Sequence, residues 1–398
     1  MQRSLYYVAS YLTGAGLGLV FAPELTLRVL QSNGAYPAPI VRMCGLFVLG
    51  LAAFVIQAIR LRLTQLYPTL VLVRVGFCIA YVVIYLQCRD PFFLITLSVV
   101  GAGLLASLVG LALAVPEPLA RTHEPERFDL EVEANGLRFA AHSWGEGPLV
   151  LLLHGFPDTA RTWDVIGPAI AKAGYRVVAP YLRGYAPSGL PPRDCDARTL
   201  GEDIVALVGA LGETEARVIG HDWGAEAAYA AVALAPERFT RLVTIAIPPR
   251  AAITITPALF WALRHFIAFK LPGAEARFAA NDFAMVEELC RRWSPTWKFT
   301  TRDLEHVKNA FAAPGVVHAA LGYYRAAKFG TPAFLRTPIT VRALAIAGAD
   351  DPGVSPRVFE AVRGHYRAGY EVATVRGGHF CHRESPEACI AAIVPFLA

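Results

Sequence analysis

An aspartate holds the centre of the stretch GHDWGAE, residues 220–226. The pattern G-x-D-x-G describes a sharp strand-to-helix turn. Its glycines let the backbone pass closely and lift the central side chain above a sheet. ARVIG before it reads as a strand, and AEAAYAAVALA after it as a helix. A carboxylate at a helix N-terminus is kept ionised by the helix dipole. Asp222 could be an ordinary N-cap, a common use of aspartate. To act as a covalent nucleophile it needs a base, and the base needs a group to orient it.

Both partners follow it in the chain order nucleophile, acid, histidine. AIAGADDPGVSP comes after a predicted strand and offers Asp350 and Asp351. VRGGHFCHRESP comes after the last predicted strand and offers His379 as the base. His382 lacks the preceding Gly-Gly and is expected on the surface. Upstream, HGFPD at 154–158 follows the strand PLVLLL. That loop and the residue after the nucleophile are where backbone N–H groups can hold an oxyanion, which nominates Phe156 and Trp223.

All these residues lie just past apolar strands, as ligand-binding residues do in open α/β sheets. LEVEANG and LRFAAHSW read as a hairpin turning at Asn135-Gly136. PLVLLLHG, YRVVAPY, ARVIG, LVTIAIPP, VRALAIAG and YEVATVRG read as buried strands separated by helices. That alternation predicts a mainly parallel sheet with helices on both faces, over residues 128–398. A long aromatic-rich helical stretch, about 248–337, interrupts it before VRALAIAG.

Taken together, HGFPD, RGYAPSG at 183–189, GHDWG, AGADD and GGHF resemble the α/β-hydrolase superfamily. The aspartate in the elbow resembles its epoxide-hydrolase branch. The resemblance covers about 128–398. It implies an aspartyl ester formed by Asp222 and hydrolysed by water that His379 activates, and the family pattern G-x-x-D favours Asp351 over Asp350 as its orienter. It also makes 248–337 a helical cap. LGYYRA at 321–326 resembles the tyrosine-bearing cap helix, which makes Tyr324 the acid for the leaving oxygen and Tyr323 a packing aromatic beside it at the substrate. The second cap tyrosine of the family falls on His265 in WALRHFIAFKLPGAE, a departure that bears on the substrate. His154, His265 and Tyr323 are thus the expected substrate-facing residues. Trp261, Phe266, Phe269, Trp293 and Trp297 suit a small apolar substrate.

The first 116 residues are of another kind. The chain has 398 residues, 55% hydrophobic and 17% charged, with a mean hydropathy of +0.42. That is too apolar for an ordinary soluble enzyme. Four apolar stretches, 5–21, 40–59, 66–86 and 92–115, each approach the roughly 20 residues that cross a bilayer as a helix. They predict a four-helix transmembrane module over 1–116, joined to the hydrolase by a linker at 117–127. With the N-terminus inside, Arg3, Arg60, Arg62, Arg121 and Arg127 fall on the inner side. Arg28 and Arg89 fall outside beside Glu24 and Asp90, and Arg42 marks the outer edge of the second span. The bias places the catalytic domain in the cytoplasm of a multi-pass membrane protein. Arg74, inside the third stretch, is expected to find a structural partner rather than mark a transport path. GAGLLA at 101–106 matches a dinucleotide pattern by letters only and reads as helix packing.

The rest is exclusion. The net charge of +5 is not gathered into basic blocks, so no nucleic-acid partner is expected. Seven scattered cysteines without a CxxC make neither a disulfide framework nor a zinc site. No HExxH and no P-loop occurs, so neither a metal nor a cofactor is expected. The alternatives on the same scaffold are a haloalkane dehalogenase, an ester or lactone hydrolase, or a catalytically silent membrane-bound binding or scaffold protein.

Overall fold

The structure, a computed structural model, describes residues 2–60, 67–112, 123–192, 194–252, 263–327 and 330–398. The chain forms two compact units, Met1–Ala114 and Val115–Ala398.

The first unit is helical, with α1 (Gln2–Phe21), α2 (Ala38–Arg60), α3 (Tyr67–Cys88) and α4 (Pro91–Ala112). Among the described residues three segments are long and apolar enough to cross a bilayer: Ala38–Arg60, Thr69–Cys88 and Pro91–Val109. The fourth expected span is shorter. The apolar part of α1 is Leu5–Phe21, because polar residues open that helix. Leu5, Val8 and Leu12 of α1 pack on Ala52, Val55 and Ile59 of α2. Large apolar side chains such as Leu46, Phe47, Leu72, Ile79 and Leu105 face outward. A water-soluble bundle would bury such a surface. Arg74 is buried, and its guanidinium donates to the Gly103 carbonyl (3.3 Å) and to the Ser107 hydroxyl of α4. Asp90 also turns inward, accepting from the Ser32 and Tyr36 hydroxyls (2.7 and 3.0 Å) and from backbone N–H groups of Asn33, Gly34 and Phe92.

The second unit is built on one eight-stranded sheet. Its strands are β1 (Leu130–Ala134), β2 (Leu137–Trp144), β3 (Leu149–Leu153), β4 (Arg176–Pro180), β5 (Ala216–His221), β6 (Phe239–Ile245), β7 (Ala343–Gly348) and β8 (Tyr370–Val375). They lie in the order β1-β2-β4-β3-β5-β6-β7-β8. β1 and β2 pair antiparallel, as do β2 and β4, and every later pair is parallel. The hairpin turns at Asn135 and Gly136, both at positive φ (46° and 69°), as a two-residue hairpin turn requires. β3 and β7 are buried at every position, as strands covered on both faces must be. Helices α5 (Ile166–Lys172), α6 (Ala197–Ala210), α7 (Trp223–Leu234) and, after β8, α12 (Pro386–Leu397) cover the sheet. Between β6 and β7 the cap carries α8 (Arg264–Ala268), α9 (Ala274–Trp293), α10 (Glu305–Ala312) and α11 (Val316–Ala326). Trp261, one of the expected cap aromatics, lies outside the described residues.

Candidate active site

Asp222 is the hinge between β5 and α7. Its backbone sits at φ 52°, ψ −119°, a conformation a non-glycine residue adopts at a cost of about 1–3 kcal/mol. Packing enforces it. A side chain at Gly220 would come within 2.2 Å of the Gly224 carbonyl, and one at Gly224 within 2.2 Å of the Leu153 carbonyl. The elbow is therefore pressed against itself and against the end of β3. The same crowding brings the HGFPD loop over the carboxylate, and the Phe156 N–H donates to Asp222 Oδ1 at 2.8 Å. The Trp223 N–H is the first of α7, where amides have no partner within the helix.

The other carboxylate oxygen meets His379. His379 Nε2 lies 3.3 Å from Asp222 Oδ2, and His379 Nδ1 lies 3.4 Å from Asp351 Oδ2. Asp351 is anchored at its second oxygen by the N–H groups of Gly353 (2.7 Å) and Val354 (3.1 Å). Asp350 points elsewhere. Its carboxylate accepts from the Gly377 N–H at 3.1 Å and pins the loop leading to His379. Of the two aspartates, Asp351 is thus the one that lies beside His379.

Charge follows from this arrangement. Burial alone would push His379 down, but the two carboxylates outweigh it and raise it to about 9. Burial would likewise raise Asp222, yet His379, the nearby His221 and the Phe156 N–H hold it below the usual carboxylate range. At neutral pH the resting site is an Asp222 carboxylate facing a His379 imidazolium.

The cap closes over this pair with aromatic rings. Tyr324 is buried, with Phe156, Trp223, Phe266 and Phe269 at centroid distances of 5.1, 5.2, 4.8 and 4.9 Å. Burial and the negative charge of Asp222 push its hydroxyl well above the ordinary phenol value. His265 stands 5.6 Å from Tyr324 and 4.8 Å from Trp293, which in turn lies 5.4 Å from His379. Tyr324 and His265 are therefore brought to the same side of the site as Asp222 and His379. Trp297 lies further along, against Phe380 and Phe299.

Three expected placements are corrected. The Tyr323 hydroxyl donates to the Arg183 carbonyl at 2.6 Å, so its polar group belongs to the scaffold and not to a substrate. His154 is fully buried, accepting from the Leu182 N–H at Nε2 and facing the Gly155 carbonyl at Nδ1, both at 3.0 Å. Burial lowers it to about 4, and as a neutral ring with both nitrogens occupied it braces the oxyanion loop. His382 is not on the surface. It is 1% exposed, with Nε2 2.7 Å from the Thr162 hydroxyl, because the chain after His379 turns inward as a short helix, Cys381–Glu384.

Asp158 and His221 carry structure that the sequence did not disclose. Asp158 is buried, and its Oδ1 lies 3.5 Å from both His306 Nε2 of the cap and Arg383 Nη1 behind the base. Burial would raise this carboxyl, but Arg383 and His306 hold it far below the usual range. It ties oxyanion loop, cap and base loop together. The only sequence signal was its place at the end of HGFPD. His221, beside the nucleophile, has Nε2 3.0 Å from the His379 carbonyl. Among the described residues no group of three or more His, Cys, Asp or Glu side chains is placed to hold a metal ion.

A mainly parallel sheet, an elbow carrying Asp222, and Asp351 and His379 delivered by the last two strand ends are the features of an α/β hydrolase. Residues 148–386 match the alpha/beta hydrolase fold family, and the chain belongs to it. Within that family it is similar to the AB hydrolase superfamily protein YfhM of Bacillus subtilis, 32% identical over 67% of this chain and 96% of the relative. Epoxide hydrolase A of Mycobacterium tuberculosis is 31% identical over 67% of this chain and 96% of its own length. Among solved structures, epoxide hydrolase VrEH1 from Vigna radiata superposes with a TM-score of 0.58 at 27% identity, covering 67% of this chain and 96% of that one. The chain is a hydrolase of the epoxide-hydrolase-like kind.

Proposed function

We propose that this hydrolase opens a lipophilic epoxide to a diol through an ester of Asp222, and that its N-terminal helices hold it in a membrane with the catalytic domain on the cytoplasmic side. The observation that carries the reading is the Asp222 carboxylate itself. One oxygen sits under the Phe156 N–H and the other faces an imidazolium backed by Asp351.

A carboxylate needs no deprotonation before it displaces an oxygen at saturated carbon. Asp222 forms a C–O bond to an epoxide carbon, the strained C–O bond breaks, and Tyr324 gives its proton to the departing alkoxide. His265 lies beside Tyr324 as a second donor to the same oxygen. The product is an ester, and one of the two negative charges that raise His379 has gone, so its proton is held less tightly. His379 then returns its proton to the Tyr324 phenolate and becomes a base. It takes a proton from water, and the hydroxide adds to the ester carbonyl. The Phe156 and Trp223 N–H groups hold the resulting oxyanion. Collapse expels the diol oxygen, which takes the second proton of the water from the added hydroxyl. Asp222 is again a carboxylate and His379 again an imidazolium.

The aromatic surroundings of Tyr324 favour an apolar substrate, and the relatives named as epoxide hydrolases favour the epoxide. The apolar helices of the first unit suit a substrate dissolved in lipid. The test is intact mass of His379→Gln exposed to lipophilic epoxides, alkyl halides and esters, with Asp222→Ala as control. An adduct of whole-epoxide mass that the control lacks is the expected result. An adduct without the halogen moves the assignment to dehalogenation, and a folded protein that no epoxide labels overturns the epoxide reading. Alkaline extraction of cell membranes tests the anchoring, which fails if the chain is released.

A further inference from the structure

We propose that His221 is a positioning residue for the base: its Nε2–H holds the His379 carbonyl, so that one strand end sets both the nucleophile and the histidine that must later hydrolyse its ester. The inference rests on the ester mechanism above for its kinetic consequence, and on geometry alone for its structural one.

His221 is the last residue of β5 and the immediate neighbour of Asp222. Its Nε2 lies 3.0 Å from the His379 carbonyl oxygen, and because a carbonyl only accepts, Nε2 carries the hydrogen. The ring is wholly buried between His379 (4.9 Å), Phe380 (5.1 Å) and His382 (4.2 Å). His382 is itself fixed, through Nε2 on the Thr162 hydroxyl and its ring against Trp163. His221 therefore has little freedom to turn.

From the other side the cap holds the same segment. The Trp293 carbonyl accepts from the His379 N–H at 2.9 Å, and the Ser294 hydroxyl accepts from the Phe380 N–H at 2.8 Å. The backbone at His379 is clamped at its amide by the cap and at its carbonyl by β5. Only the second clamp is continuous with the nucleophile. The second clamp thus links Asp222 to the His379 backbone through one intervening hydrogen bond, beside the 3.3 Å side-chain contact. Burial keeps His221 neutral, which suits a ring packed beside an imidazolium.

The plain alternative is a buried core histidine that serves folding only. The two differ in which half-reaction suffers. Loss of a fold-stabilising group slows both halves or lowers the amount of folded enzyme. Loss of a strut to the base slows ester hydrolysis while leaving Asp222 free to form the ester. Displacements of about 1 Å around reacting groups cost up to about 10²-fold in rate.

The experiment uses the full chain with His221→Phe, which keeps a buried ring without the donor, and His221→Gln, whose amide can restore it. Hydrogen exchange by mass spectrometry at residues 376–382 needs no substrate. Faster exchange there in His221→Phe, reversed in His221→Gln, with β5 and α7 unchanged, is the expected result. Unchanged exchange at 376–382, or loosening spread equally over β5 and α7, overturns the proposal. With styrene oxide or 1,2-epoxydodecane, His221→Phe should accumulate the ester with kcat and KM falling together, and His221→Gln should not. Equal slowing of ester formation and hydrolysis in both variants also overturns it. If His379→Gln traps no ester from either probe, the epoxide reading fails, and the exchange data still decide the role of His221.

Discussion

Replacing Asp222 by asparagine should lower the His379 pKa by more than about one unit, with little change in shape. In the native site His379 is raised from 6.5 to about 9, which corresponds to roughly 3 kcal/mol in favour of the imidazolium. Burial acts in the opposite direction, so the attractions to Asp222 and Asp351 together exceed that net figure. The two carboxylates stand at nearly equal distances, 3.3 and 3.4 Å. Each therefore contributes more than half of the net rise, and removing one should bring His379 to about 8 or below. The assay is NMR titration of ¹³Cε1-labelled histidine in the full chain, with His379→Gln to assign the signal among the ten histidines. A His379 that still titrates near 9 in Asp222→Asn would refute the pairing. The sign also fixes a stability effect. Because the folded value is raised, the stabilisation is fully present below pH 6.5 and is lost as pH rises through about 9.

Other substitutions separate chemistry from scaffold. Tyr324→Phe should slow ester formation by about 10²-fold or more and leave hydrolysis of a preformed ester unaffected, measured by rapid quench and intact mass. Tyr323→Phe loses only the bond to the Arg183 carbonyl and should cost about 1 kcal/mol of stability, seen in thermal melting, with kcat preserved. Asp158→Asn leaves the half-buried Arg383 beside a neutral group and should cost about 1–3 kcal/mol, read as a lowered Tm. Gly224→Ala drives a methyl into the Leu153 carbonyl and should destabilise by about 1–3 kcal/mol or more, with loss of the Asp222 ester in trapping assays.

The parts of the site readable in the sequence were those set by local backbone geometry. G-x-D-x-G announces an elbow because no other residue type fits at Gly220 and Gly224. The strand runs before Asp351 and His379 place them at the same edge of the sheet. What stayed hidden depends on contacts between distant segments. Asp350 and Asp351 are adjacent in sequence, and only the fold turns one to His379 and the other to Gly377. His382 has an exposed-looking neighbourhood in HRES, but the turn after Phe380 carries it inward against His221 and Trp163. Tyr323 and Tyr324 share a motif, while the helical turn aims one hydroxyl at the Arg183 backbone and sets the other ring edge-on to Phe156. In the first unit, composition announced apolar helices, but the length of the first is limited by the polar start of α1.

The proposed chemistry gains its order of events from charge alone. A histidine already neutral in the resting site could activate water before any ester existed. Here the nucleophile opposes that, since its charge adds to that of Asp351 in keeping His379 protonated. When Asp222 gives up that charge to a carbon atom, His379 holds its proton less tightly and the base becomes more available. Asp351 cannot perform this timing, because its charge persists throughout the cycle. Its part is to hold Nδ1 and keep the ring in line. The division of labour between two carboxylates at almost the same distance therefore follows from which one the substrate can neutralise. Asp222 stands on the elbow below Tyr324 and the cap aromatics, whereas Asp351 is fastened by Gly353 and Val354 behind the ring.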